Sequence, residues 1–177
     1  LRGHFFFEWK VIRHWRSGQS SMEVFDPISN QWTAGPALPN ELTGAAATSF
    51  NGKIFLAGGQ NPAQQILSQV LQFDPSTNQW SQKASMPTPR FFHQLVVFES
   101  KIWAIGGDAS GGALDNVEIY DPIADTWVSG PQLSVARSMP SAWVENGKIW
   151  VLGGSNSNNP FMNSIEVFHP VTNQRSS

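Results

Sequence analysis

A chain of 177 residues can hold one domain with a sizeable core, and its 15 Gly and 12 Pro announce many turns instead of long helices. Its net charge of −2 splits into +3 over residues 1–20 (Arg2, Lys10, Arg13 and Arg16 against Glu8) and −5 beyond, an acidic body without the Lys/Arg clusters that bind nucleic-acid phosphates. The absence of cysteine excludes a disulfide framework, thiolate-bound zinc and thiol catalysis.

Residues 1–20, basic and rich in Phe and Trp, read as a divergent segment. "GHFFFEWKVIRHWRSG" (3–18) has the length of a second strand and its loop, and is expected to form a degenerate strand pair. From residue 21 onward the chain repeats itself. Strands at 22–34 carry "FDP" (25–27) and Trp32; three longer units follow at about 43–82, 90–130 and 137–177. "KIFLAGG" ends at Gly59, "KIWAIGG" at Gly107 and "KIWVLGG" at Gly154, steps of 48 and 47. The aromatic residues Phe25, Phe73, Tyr120 and Phe168 each precede Asp-Pro or, in the last copy, His169-Pro. Trp32, Trp80 and Trp127 stand seven residues after their aromatic partner. Arg90 and Arg137 follow their tryptophans by ten, and Leu42 takes that place in the first copy.

Each full unit carries four short strand-like runs; in the second these are 92–99, 101–107, 116–121 and 126–129. Asn-Gly at 51–52 and 146–147 predicts tight hairpins. The last unit is expected to stop before a fourth strand, since Arg175 stands where a tryptophan is due. Four-stranded units of about 47 residues are the sequence form of propeller blades.

The string of a Gly pair, [FY]DP, Trp and Arg in this register resembles the kelch repeat over residues 22–170. The resemblance implies an all-β fold: a partial β-propeller of four-stranded antiparallel kelch blades, about three and a half of them. Such an array leaves open edges, so the chain is expected to be a segment of a larger propeller or to self-associate through those edges.

The pairs Gly58–Gly59, Gly106–Gly107 and Gly153–Gly154 end strands. A phosphate cradle would need a helix to follow, and none is signalled. Asp26, Asp74 and Asp121 read as turn residues bonding their own backbone. Each repeat tryptophan could bury about 150–250 Å², about 4–6 kcal/mol of gross stabilisation.

Neither HExxH nor GxSxG occurs, and His4, His14, His93 and His169 lie far apart in the repeat. No catalytic residue, metal site or cofactor is assigned. The resemblance brings further readings. Copper-oxidase propellers use a Cys-linked tyrosine, excluded here; sialic-acid epimerases or mutarotases, needing only a proton donor and acceptor above the channel, are the rival reading. Substrate adaptors of ubiquitin ligases carry a BTB domain, which these residues do not contain.

The favoured reading is a protein–protein interaction module, not an enzyme, with a protein or peptide ligand and no nucleic-acid partner. In peptide-binding relatives the binding face is lined by the loop after the glycine pair and by the motif arginine. Carried over by position, this proposes Gln60, Asp108 and Ser155 with Arg90 and Arg137, the alternative being that the arginines only tie loops together. Phe92, His93 and Phe161 join them because they break the repeat. Met162, aligned with Leu67 and Leu114, reads as blade packing. No apolar run reaches the ~18 residues of a membrane span and no signal-peptide pattern is seen, so membrane insertion is not expected. The compartment stays open, leaning to the cytoplasm.

Overall fold

The computed structural model describes residues 11–12, 20–169 and 174–176. Every regular element among them is a strand. The first sheet joins β1 (Val11–Ile12), β2 (Glu23–Asp26) and β3 (Gln31–Ala34). Most of residues 1–20, with His4 and His14, lies outside the described residues, so the expected strand pair there is represented only by Val11–Ile12 beside β2.

Three four-stranded antiparallel sheets follow. The first contains β4 (Ala46–Phe50), β5 (Lys53–Ala57), β6 (Val70–Asp74) and β7 (Gln79–Lys83). The second contains β8 (Gln94–Phe98) and β9 (Lys101–Ile105), then a small hairpin of β10 (Asp108–Ala109) and β11 (Gly112–Ala113). It is completed by β12 (Val117–Asp121) and β13 (Thr126–Ser129). The third contains β14 (Ser141–Glu145), β15 (Lys148–Leu152), β16 (Ile165–His169) and β17 (Gln174–Ser176). The last unit therefore does not stop before a fourth strand. Arg175 pairs with Phe168 in the register that sets Trp80 opposite Phe73, because ladder hydrogen bonds need only backbone.

The first and second strands meet in two-residue turns with both φ angles positive: Asn51–Gly52 (49°, 71°) and Asn146–Gly147 (50°, 69°). Such turns match the twist of the flanking strands and suit Asn-Gly. Glu99 and Ser100 adopt the same conformation (47°, 59°) without a glycine, a conformation L side chains resist.

β4 contacts β8 and β8 contacts β14, so the first strands stand side by side and the sheets fan outward as blades. Between neighbouring blades lie dry layers. Phe55, Ala57 and Val70 pack on Leu95, Ile102 and Tyr120; Val96, Trp103 and Ile105 pack on Ile149 and Val151. Ahead of them, Met22 and Val24 cover Ile54 and Phe73.

One aromatic pair recurs across the third and fourth strands, with ring centroids 5.0 Å apart for Phe25–Trp32, 5.1 Å for Phe73–Trp80 and 5.0 Å for Tyr120–Trp127. The Trp80 indole N–H donates to the Pro36 carbonyl (3.5 Å) and that of Trp127 to the Ala84 carbonyl (2.9 Å), each on the preceding sheet. Trp32 departs from the expected burial: it is 44% exposed, since among the described residues no sheet precedes it. The Asp of each motif behaves as a turn residue. Asp26 accepts from Ile28 N, Asp74 from Ser76 N and Asp121 from Ile123 N, and the last two also pair with Lys53 and Lys101.

Candidate functional site

At one end of the blades, three loops run in the same register. The residue after each glycine pair forms a two-way backbone bridge to the residue after the Arg or Leu position: Gln60 with Thr43, Asp108 with Phe91, and Ser155 with Ser138. All six N–H···O bonds measure 2.8–3.0 Å. The fold thus brings Gln60, Asp108 and Ser155 to equivalent, partly exposed positions on one face with three different side chains.

Just beyond the bridges, Gly44, Phe92 and Met139 occupy a common position, each with positive φ (66°, 55° and 52°). Phe92 N donates to the Gly44 carbonyl (2.7 Å) and Met139 N to the Phe92 carbonyl (2.8 Å), so one hydrogen-bonded line crosses from blade to blade. A bulky residue in the left-handed region is strained and persists only where its surroundings over-determine it. Phe92 is half-buried, stacked on Phe91 at 4.6 Å, and Met139 is exposed. Met139 is the counterpart of Phe92 that alignment by side-chain type did not find. Phe161, on the long loop of the last blade, is 89% exposed.

The motif arginines are not on this face. Arg90 and Arg137 are both 0% exposed, which corrects their assignment as partner-binding residues. Arg90 Nη1 donates to the carbonyls of Gly106 (2.9 Å) and Asn116 (3.2 Å). Its Nη2 lies 2.9 Å from Glu118 Oε2, a charge contact, while Thr88 Oγ1 donates to Oε1 of the same carboxylate at 2.5 Å. Arg137 repeats the arrangement with the Gly153 carbonyl (2.8 Å), the Ser164 carbonyl (3.4 Å) and Glu166 (2.6 Å). The backbone of each arginine meanwhile serves the preceding blade: Arg90 accepts from Gly59 N and donates to the Leu67 carbonyl, and Arg137 accepts from Gly107 N and donates to the Leu114 carbonyl. Each therefore staples two blades, its main chain on one and its side chain on the next.

Burial lowers the Arg90 pKa and the Glu118 charge opposes that shift. For Glu166, burial acts upward, but hydrogen bonds from Ser134 and the Arg137 charge outweigh it and hold the carboxyl below its ordinary value.

The glycine pairs make these staples possible. A side chain at Gly58 would lie 2.2 Å from the Arg90 carbonyl oxygen, and one at Gly107 would lie 2.8 Å from the Phe91 carbonyl and 2.7 Å from His93 Cβ. His93 is buried between these two glycines, so it too leaves the partner-binding set. Leu67, Leu114 and Met162 share one bond, each donating its N–H to the carbonyl of the second glycine (2.8, 2.8 and 3.0 Å).

Glu118 and Glu166 escaped the sequence reading, although a signal existed. The acid stands two residues before Tyr120 or Phe168; where Leu42 replaces Arg in the first full blade, the acid position is Leu71. Leu42 packs on the cluster of Ala45, Leu56 and Leu71, so an ion pair in two blades is a hydrophobic pair in the other. Among the described residues no group of three or more His, Asp or Glu could hold a metal ion, and no helix is long and apolar enough to cross a membrane.

Comparison with known proteins follows the same lines. A solved structure of YjhT superposes with a TM-score of 0.76 at 16% identity, over 89% of this chain and 51% of that one. Kelch-like protein 35 from Homo sapiens is 46% identical over 39 residues, which is 22% of this chain and 7% of that protein. The chain thus spans about half of the YjhT chain, and its match covers a small part of Kelch-like protein 35. The family model described as the KLHDC2/KLHL20/DRC7 Kelch-repeats domain matches residues 14–176. With its glycine pairs, aromatic pairs and buried arginine staples in one register, the chain belongs to the Kelch-repeats domain family.

Proposed function

We propose that this chain is a recognition module that binds a protein or peptide on the loop face carrying Gln60, Asp108 and Ser155, with Phe92, Met139 and Phe161 beside them. One observation carries the reading: three equivalent positions keep identical backbone bonds while their side chains diverge and stay partly exposed. Where main-chain geometry is constant, side-chain variation changes the surface and not the fold. Binding hot spots favour aromatic anchors ringed by polar groups, which matches this set.

The sugar-directed enzyme has less support. Of the candidate residues left on the face, Asp108 alone ionises near neutral pH, whereas proton transfer on two sides needs a donor and an acceptor. Asp26, Asp74 and Asp121 are held in turns. The ubiquitin-ligase adaptor is a finer version of the recognition reading and rests on family analogy.

The test is selection of a phage-displayed peptide library on the full chain. Enriched peptides should lose about tenfold or more in affinity for a Gln60→Ala/Asp108→Ala/Phe161→Ala variant. The melting temperature should be unchanged, since the bridges are main-chain bonds. Peptides that bind the variant as well as the parent, or a library that enriches nothing, would refute the assignment.

A further inference from the structure

Each interior blade has an incoming face, which packs on the blade before it, and an outgoing face, which packs on the blade after it. In the second full blade the outgoing face carries Val96, Trp103, Ile105 and Val117, all buried against the third. Strand register sets Trp143, Trp150, Leu152 and Ile165 at the same positions of the third blade. There Trp143 is 40% exposed, Leu152 38% and Ile165 40%, with Trp143 and Trp150 stacked at 6.0 Å. A second unpartnered surface lies at the other end of the array: Phe25 and the 44%-exposed Trp32, in the slots whose equivalents Phe73–Trp80 and Tyr120–Trp127 pack on a preceding sheet.

We propose that these two surfaces bind each other between two copies of the chain, head to tail, so that two chains close one propeller ring. The interior of the chain is the template: the same outgoing and incoming faces meet there between consecutive sheets, through aliphatic layers and an indole N–H donated to a carbonyl of the preceding sheet. Both complementary halves of that interface are present on one chain, and because they are different surfaces the contact is heterologous, which must either close into a ring or run on as a filament. The size of the ring argues for closure at two. Some 89% of this chain superposes on 51% of the YjhT chain, so a second copy supplies the other half. The proposal is independent of the peptide-binding reading, because blade faces and loop face are separate surfaces.

Light scattering coupled to size exclusion reads the outcome. The 177-residue chain should run at twice its 19.5 kDa mass. Trp143→Glu/Ile165→Glu on the outgoing face and, separately, Trp32→Glu on the incoming face should each weaken the dimer by at least tenfold. Mixed in equal amounts, the two variants should recover a heterodimer, since one intact pair of faces remains between them. A monomeric parent, whose faces are then covered by something other than a second copy, overturns the proposal. So does a dimer indifferent to Trp32→Glu, which would mean that outgoing faces pair with each other, and so does an open series of larger species. Near-ultraviolet circular dichroism of each variant separates loss of assembly from loss of fold.

Discussion

Replacing Arg90 with Leu strands Glu118 in a site where the carboxylate is almost wholly buried. Removing one partner of a buried ion pair costs about 3–5 kcal/mol, because the remaining charge keeps its desolvation penalty and loses its counter-charge. Thr88 and Asn116 still donate to Glu118, which puts the expected loss near the lower end, about 3 kcal/mol. For a chain of this size that lowers the melting temperature by about 6–12 °C. Arg90→Leu/Glu118→Leu recreates the Leu42–Leu71 pair of the first full blade. It removes both desolvation penalties but leaves the Gly106 and Asn116 carbonyls without the guanidinium, about 1 kcal/mol each. The double variant should therefore lie within about 2 kcal/mol of the parent and be more stable than Arg90→Leu alone. Urea titration of the four chains, with Glu118→Leu as the second single variant, measures the coupling. If the double variant is no more stable than Arg90→Leu, the ion pair is not what Leu–Leu replaces.

Further outcomes test other links. Trp80→Ala should destabilise by about 2–3 kcal/mol, as a half-buried indole loses its Phe73 contact and its interblade bond, and an unchanged melting temperature would contradict the packing role. Trp32→Ala, measured below the dimer dissociation constant, should cost less because Trp32 is more exposed. Glu99→Asn/Ser100→Gly should stabilise by about 1–2 kcal/mol by relieving two left-handed residues, and a loss of stability in thermal melts would refute the strain. The single tyrosine offers a spectroscopic check. Burial, and then the hydrogen bond from Tyr120 to Asp125, push its phenol pKa well above the ordinary value. A raised folded pKa means stability complete below the unfolded value of about 10 and lost as pH climbs above it. Phenolate absorbance should thus appear together with alkaline unfolding, and titration near pH 10 in an intact fold would refute the burial. Glu166 runs in the opposite sense: its lowered pKa contributes stability above the unfolded value of about 4.3 that is lost as pH falls through the folded value, and Glu166→Gln should flatten that acid limb of the melting curve.

Much of the architecture was legible because a repeat compares the chain with itself. Phe73 and Trp80 at a spacing of seven, followed by Arg90, already imply two strands joined by a tight turn and then an interblade loop. Asn51–Gly52 specifies its own hairpin through φ alone. The fourth strand of the last blade was missed because Trp was taken as its marker, while the ladder opposite Phe168 forms through backbone whatever side chain Arg175 carries. Arg90, Arg137 and His93 were misassigned for a related reason. Charge and repeat position suggest a surface role, but whether a guanidinium points to solvent or across to the next blade depends on where Gly106 and Glu118 stand.

By itself the sequence determined the all-β class, the register of the four-stranded units, the turn chemistry and the divergence of Gln60, Asp108 and Ser155. All of these follow from local φ preferences and from period-two patterning within some 47 residues. Only the tertiary structure decided which residues face outward. Burial is a property of the neighbouring blade, which turned Arg90 and Arg137 into internal staples and left Trp32, Trp143 and Leu152 as surfaces awaiting a partner.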